Sequence, residues 1–189
     1  MAKSKSNVIT HGLSGLIGDL LVFRQRANKT IVADRPKPLS KEPSAAQLHI
    51  RQRFRKAVLY ARTAISDAAL KEAYRSVSRP GQSAFNIAFR DYQIAPEFDE
   101  EMDLGGYSGA AGQKIAVSVI DDFRVSAVSL KIVKPDNTIV EEGDAVQAKN
   151  GLDWIYTTTA VNDGLPGSRI IVTARDLPGN RTVMEKVLL

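Results

Sequence analysis

The sequence predicts an α+β chain of two modules: a β-hairpin with three short helices over residues 1–98, then an all-β sandwich over residues 99–189. Three observations predict it. Apolar residues recur at helical spacing between about residues 45 and 92, then switch to strict two-residue alternation after Gly112. From there turn-forming clusters recur at short intervals to the C-terminus. The charge also changes sign. Residues 1–98 carry 17 Lys/Arg and 7 Asp/Glu, a balance of +10, whereas residues 99–189 carry 9 and 14, a balance of −5. The changeover falls at Ala95-Pro96-Glu97-Phe98-Asp99-Glu100-Glu101, where a proline and an acidic run follow a helical pattern. That stretch is the expected domain boundary.

Composition narrows the classes. With 189 residues, 43% of them hydrophobic and 25% charged, the chain can bury a substantial core. Gly 13 and Pro 8 exclude a collagen-like or wholly disordered chain. No apolar run approaches the ~18 residues of a membrane span, so no membrane span is expected. The absence of cysteine removes disulfides, thiolate chemistry and cysteine zinc sites. Two histidines, His11 and His49, leave little material for a metal site or a histidine base. The basic start Met-Ala-Lys-Ser-Lys-Ser is not followed by an adequate apolar region, because Gly18 and Asp19 break the run from Leu16 to Phe23. Cytoplasmic synthesis without a signal peptide is expected, with the final site open and a released particle or filament included.

In chain order, Gly12, Gly15 and Gly18 are spaced by three, with Ser14 between them. The runs Leu20-Leu-Val22-Phe23-Arg24 and Thr30-Ile31-Val32-Ala-Asp34 then have the β-branched and aromatic content of strands. Asn28 suits the positive φ of a tight turn, so a hairpin is expected over about 19–34. The glycines are not a phosphate loop: no Gly-Lys-Ser/Thr closes them, and the strand follows them instead of preceding them. Prolines 36, 38 and 43 predict an extended connector.

Ser44 followed by Gln47 reads as a capping box opening the first helix. Ile50, Phe54, Ala57, Val58, Ala61 and Ile65 fall on its expected apolar face. A second helix is expected from about Ser66, with Leu70, Ala73, Tyr74 and Val77 as its stripe and Pro80-Gly81 ending it. A third is expected after Ser83, with Phe85, Ala88, Phe89 and Tyr92 inward.

Cations crowd this half. Arg24, Arg26, Lys29, Arg35, Lys37 and Lys41 lie on the hairpin and connector, and His49, Arg51, Arg53, Arg55, Lys56 and Arg62 on the first helix. As phosphate contacts they would make a nucleic-acid surface. As solvated faces or ion-pair partners they would meet an acidic neighbour.

After Gly112, Ile115, Val117 and Val119 alternate with Ala116, Ser118 and Ile120, and Val128, Leu130 and Ile132 with Ser129, Lys131 and Val133. Further strands are expected over 138–142, 153–159, 169–175 and 181–189, separated by turns such as Asn162-Asp-Gly164 and Pro178-Gly-Asn180. Trp154, the one tryptophan, is expected to anchor the core or a sheet edge.

Two segments of this half resemble bacterial immunoglobulin-like domains. They are the opening Asp121-Asp122-Phe-Arg-Val125-Ser-Ala-Val128 and the closing Ile171-Val-Thr-Ala174-Arg-Asp176-Leu-Pro-Gly179-Asn180-Arg-Thr182. The resemblance covers residues 112–189 and implies an immunoglobulin-like sandwich acting as a spacer, adhesive or assembly module. Some related sandwiches bind calcium, which would draw oxygens from Asp121, Asp122 and Asp176. The favoured reading makes these aspartates turn residues bonding their own backbone. The first half resembles a large uncharacterised bacterial family through Ser14-Gly15-Leu-Ile-Gly18-Asp-Leu-Leu-Val-Phe23, Arg35-Pro36, Gln47-Leu48 with Arg53-Phe54, and Ala84-Phe-Asn86-Ile-Ala88. Leu16 stands where that family usually has lysine. This second resemblance implies kinship without an activity.

No nucleophile or paired-carboxylate motif is present, so a non-enzymatic protein with no cofactor, no metal and no small-molecule substrate is expected. The leading expectation is a structural protein assembling with itself, head to tail, into a filament, sheath or phage-like particle. Its arm and hairpin residues would be Gly12, Ser14, Gly15, Gly18, Leu20, Val22, Phe23, Ile31 and Val32, available for strand exchange into a neighbour. The alternative is a nucleic-acid-binding protein using the basic residues on phosphates.

Overall fold

A computed structural model describes residues 2–4, 8–26, 29–37, 42–99 and 101–189, with side chains from residue 8 onward. The expected turn residue Asn28, together with Pro38, Lys41 and Glu100, lies outside the described residues.

The hairpin forms as the sequence predicts. Strands β1 (Ala2–Ser4), β2 (Gly15–Ile17), β3 (Leu21–Arg26) and β4 (Lys29–Asp34) make one antiparallel sheet in the order β1-β4-β3-β2. The register sets Phe23 opposite Val32 and Arg26 opposite Lys29. Phe23 and Thr30 are the buried side chains of this sheet among the described residues. The glycine segment contributes a strand that the glycine spacing did not suggest. Gly15 pairs with Phe23 at φ 111°, a left-handed conformation that side-chain-bearing residues rarely adopt. The Gln25 amide donates to the Leu13 carbonyl at 2.7 Å and to Thr30 Oγ1 at 2.7 Å, tying the segment before β2 to the sheet.

Three helices follow: α1 (Ala45–Ser66), α2 (Ala68–Ser76) and α3 (Ala84–Asp91). The capping box forms in both directions, with the Gln47 amide nitrogen donating to Ser44 Oγ at 3.3 Å and the Ser44 amide nitrogen to Gln47 Oε1 at 3.0 Å. Three expectations need correction. α1 is not short: it runs 22 residues. Its apolar face is buried only in its second half, at Ala57, Ala61 and Ala64, while Ile50 and Phe54 are 63% and 55% exposed. α2 is capped by Asp67, whose carboxylate accepts from the Leu70 amide at 2.8 Å, because a carboxylate one residue beyond Ser66 reaches the free amides of the first turn. Of its stripe, Tyr74 is fully buried and Val77 is half exposed.

The rest of the chain is antiparallel β: β5 (Glu97–Phe98), β6 (Lys114–Ile120), β7 (Val125–Val133), β8 (Ile139–Asp144), β9 (Val146–Gln147), β10 (Asp153–Thr157), β11 (Arg169–Asp176) and β12 (Arg181–Val187). One sheet has the order β5-β6-β10-β9 and the other β12-β11-β7-β8. They share one core: Ile115, Val117 and Val119 from β6, Val128, Leu130 and Ile132 from β7, Trp154 and Tyr156 from β10, and Ile170, Val172 and Ala174 from β11. Each is spaced two residues from its neighbour, as the pleat requires. Full burial contributes about 1.5–3 kcal/mol per Val or Ile side chain. Trp154 takes its expected place in this core.

The chain packs as two units along a different line from the charge changeover. The N-terminal unit is residues 1–55 with 78–83, and the C-terminal unit is 56–77 with 84–189. Pro96 is fully buried, and the expected boundary residues Glu97 and Phe98 pair with Ile120 and Val119 inside a sheet. The charge division persists along this line. The N-terminal unit has 12 Lys/Arg and 3 Asp/Glu, a balance of +9, and the C-terminal unit has 14 and 18, a balance of −4.

Candidate functional site

The N-terminal unit carries the residues that the sequence singled out. Gly12, Ser14, Gly15, Gly18 and Leu20 are exposed, Val22, Ile31 and Val32 are half-buried, and Phe23 is buried. Leu16, Ile17, Leu20 and Leu21 all lie on the surface, with Leu20 77% exposed. Arg35 is ion-paired with Asp19, and its amide nitrogen donates to the Leu20 carbonyl at 2.9 Å. An open cleft of about 750 Å3 lies here, lined by Asp19, Leu20, Leu21, Asp34, Pro36 and Lys37 among others. The basic residues Arg24, Arg26, Lys29, Arg35, Lys37, Arg51, Arg53 and Arg55 are exposed on this unit. Lys56 and Arg62, expected in the same patch, are exposed on the C-terminal unit, so the patch divides between the two.

The C-terminal unit holds a second feature, a buried polar junction where its helices dock on its sheets. Ala61, Ala64, Tyr74, Ala84, Ile87 and Ala88 form a helical core, and Phe123 from the β6–β7 turn packs against it. The Phe123 ring stacks on Tyr74 with centroids 4.1 Å apart. Behind that stack, the Tyr60 and Tyr74 hydroxyls are 2.8 Å apart, and Tyr74 donates to Asp91 Oδ2 at 2.5 Å. Asp91 is 1% exposed. It sits on the buried stripe Ala84, Ile87, Ala88, Asp91, one face of α3 at helical spacing.

The turn aspartates complete the junction. Asp121 Oδ2 accepts from the Phe123 and Arg124 amides at 3.3 and 2.9 Å. Asp176 Oδ1 accepts from the Gly179 and Asn180 amides at 2.8 and 2.6 Å. Both bond their own turns, as expected of them. Asp122 does not join them; it pairs with the Arg90 guanidinium, Nε to Oδ2 at 2.7 Å. The Asn180 side-chain amide lies 2.7 Å from Asp176 Oδ2 and 3.2–3.3 Å from the carbonyls of Asp91, Tyr92 and Ile94. It thereby caps the carbonyl end of α3. Thr182 Oγ1 donates to the Pro96 carbonyl at 2.5 Å. The closing hairpin is therefore the socket into which α3 and the following segment fit.

Electrostatics in the junction follow from burial. Burial pushes the Asp91 carboxyl up to about 7; the Tyr74 hydrogen bond opposes this, while Asp121, Asp176 and Asp122 reinforce it. The Tyr74 hydroxyl is pushed far above the usual tyrosine range, by burial first and then by its bond to Asp91. Burial raises Asp176 despite its hydrogen bonds.

Sequence reasoning missed Asp91 and the role of Asn180. Two signals were readable for the aspartates. Asp91 stands in helical phase with Ile87 and Ala88, and Asp176 stands in strand phase with Ile170, Val172 and Ala174, where apolar residues belong. No family model matches this chain, and no curated protein matches it. No helix among the described residues is long and apolar enough to cross a membrane.

Proposed function

We propose that this protein is a non-enzymatic structural subunit that assembles with itself, the basic N-terminal unit of one copy meeting the acidic C-terminal unit of the next. The observation that carries this is the composition of the N-terminal surface. A four-stranded sheet in which Phe23 and Thr30 are the buried side chains among the described residues leaves Leu16, Ile17, Leu20 and Leu21 exposed on a unit of balance +9. Exposed apolar residues rimmed by charge are the usual mark of an interaction surface. The neighbour's unit carries the complementary −4. Contact between two different surfaces is heterologous and runs on as a filament or sheath, or closes into a ring or phage-like particle.

In the same reading residues 99–189, the β part of the C-terminal unit, are an immunoglobulin-like module. Its strand orders support this. Numbering β5 to β12 as A to G with an extra C′ gives A-B-E-D in one sheet and G-F-C-C′ in the other, the two-sheet arrangement of that fold. Trp154 lies on β10 and not on the third strand, where Val128, Leu130 and Ile132 face the core, and cysteines are absent, so the tryptophan-on-disulfide core of antibody domains is missing.

Size-exclusion chromatography with light scattering, at about 50 mM and 500 mM salt, tests the assembly. Oligomers that shrink as salt rises are expected, because exposed charges are screened. A monodisperse monomer at both salts refutes the reading. A mobility-shift assay separates the alternative, nucleic-acid binding through Arg24, Arg26, Lys29, Arg51, Arg53 and Arg55, which demands steep loss of affinity with salt.

A further inference from the structure

We propose that Asp91, Asp121 and Asp176 form a calcium site in the C-terminal unit, fixing α3 to the β6–β7 and β11–β12 turns. Each carboxylate offers one oxygen, and the three oxygens lie within 4.8 Å of one another. That is about the span across a calcium coordination sphere, whose ligands sit at roughly 2.3–2.6 Å from the ion.

Asp91, 1% exposed, keeps Oδ1 buried without a hydrogen-bond partner, and Asp121 keeps its own Oδ1 in the same condition. Every other junction oxygen of these residues is used: Asp91 Oδ2 by Tyr74, Asp121 Oδ2 by two turn amides, Asp176 Oδ1 and Oδ2 by the Gly179-Asn180 turn. A buried carboxylate oxygen without a donor is among the costlier groups a fold can hold. No Lys or Arg among the described residues pairs with any of the three, since the nearby Arg90 is committed to Asp122. Like charges this close in a poorly solvated place repel strongly, and a divalent cation removes both the repulsion and the missing partners.

The donor set selects the ion. Three carboxylates without histidine or cysteine suit a hard cation. Donors from three separate elements tolerate the irregular coordination of calcium better than the near-ideal octahedron that magnesium demands. A cleft of about 190 Å3, lined by Ile94, Ala95, Glu97, Ile120, Asp121 and Asp122, opens beside the cluster at Asp121.

The test is calorimetric and thermal titration of the EDTA-stripped full chain with calcium chloride alone. One ion per chain is expected, and a rise in Tm of about 5–10 °C at a hundredfold excess over Kd. Asp91→Asn is expected to abolish the response while leaving the calcium-free Tm at or above that of the unsubstituted protein, because one charge leaves the cluster and an amide donor enters it. Should that variant fail to fold, Asp121→Asn keeps an acceptor for the Phe123 and Arg124 amides and is expected to weaken calcium at least about tenfold. An unsubstituted protein with the same Tm in EDTA and in about 5 mM calcium overturns the proposal. An undiminished calcium response in both variants also overturns it.

Discussion

Replacing Asn180 by alanine isolates what holds the helices to the sheets. The side-chain amide has two protons and faces four acceptors: Asp176 Oδ2 at 2.7 Å and the carbonyls of Asp91, Tyr92 and Ile94 at 3.2–3.3 Å. One proton serves the carboxylate, a bond of about 1.5–3 kcal/mol, and the other is shared among carbonyls at about 0.5–1.5 kcal/mol. Asp176 keeps its two turn amides, so part of the first bond is retained by the turn itself. The net loss for Asn180→Ala is about 2–3 kcal/mol, or roughly 4–12 °C in Tm for a chain of this length. Asn180→Asp has nearly the same shape but sets an acceptor against three carbonyls and a second negative charge against Asp176. It is expected to cost more than alanine at neutral pH. Both variants are measured by urea and thermal unfolding in EDTA, followed by circular dichroism. If Asn180→Ala unfolds within about 1 °C of the parent, the cap contributes nothing and the docking rests on the other contacts, the Phe123–Tyr74 stack and the Arg90–Asp122 pair among them. If Asn180→Asp is the more stable of the two, the donor role assigned to the amide is wrong.

Two further outcomes follow from the C-terminal unit. Gly109 has φ 86°, and a Cβ there would overlap the Asn162 carbonyl oxygen, so Gly109→Ala is expected to cost at least about 1–3 kcal/mol. Equal urea midpoints for the two proteins would contradict this. Burial, with Tyr156 also bonded to Glu141 Oε2 at 3.0 Å, pushes the Tyr156 hydroxyl up to about 12, and burial raises Tyr107 as well. Folded-state values above the unfolded value of 10.0 mean that the stability these protonated hydroxyls contribute is intact below pH 10 and disappears as pH rises towards 12. A spectrophotometric titration is expected to show a late component that coincides with loss of ellipticity and is missing in Tyr156→Phe. Smooth ionisation near pH 10 with the fold intact would exclude it.

Much of the fold was legible in the residues because it depends on short-range rules. The Ser44–Gln47 box, the hairpin of β3 and β4, and the alternation of Ile115, Val117 and Val119 need only a cap, a turn and a pleat. The exposed ends of that logic were harder to read. Ile50 and Phe54 share an apolar face with Ala57 and Ala61, and periodicity cannot tell which turn of the face finds a partner. β5 and β9, two residues each, are too short for any pattern to register.

The candidate site divides in the same way. The sequence alone determined the charge contrast, the absence of thiol chemistry and the turn-bonding roles of Asp121 and Asp176, since each depends on composition or on neighbours within four residues. Only the tertiary structure decided that Asp91, 30 residues before Asp121 and 85 before Asp176, meets them both, and that Asn180 closes a helix 89 residues earlier. Such meetings are fixed by which buried faces fit together, and packing of that kind leaves no local signature beyond a carboxylate standing where an apolar side chain belongs.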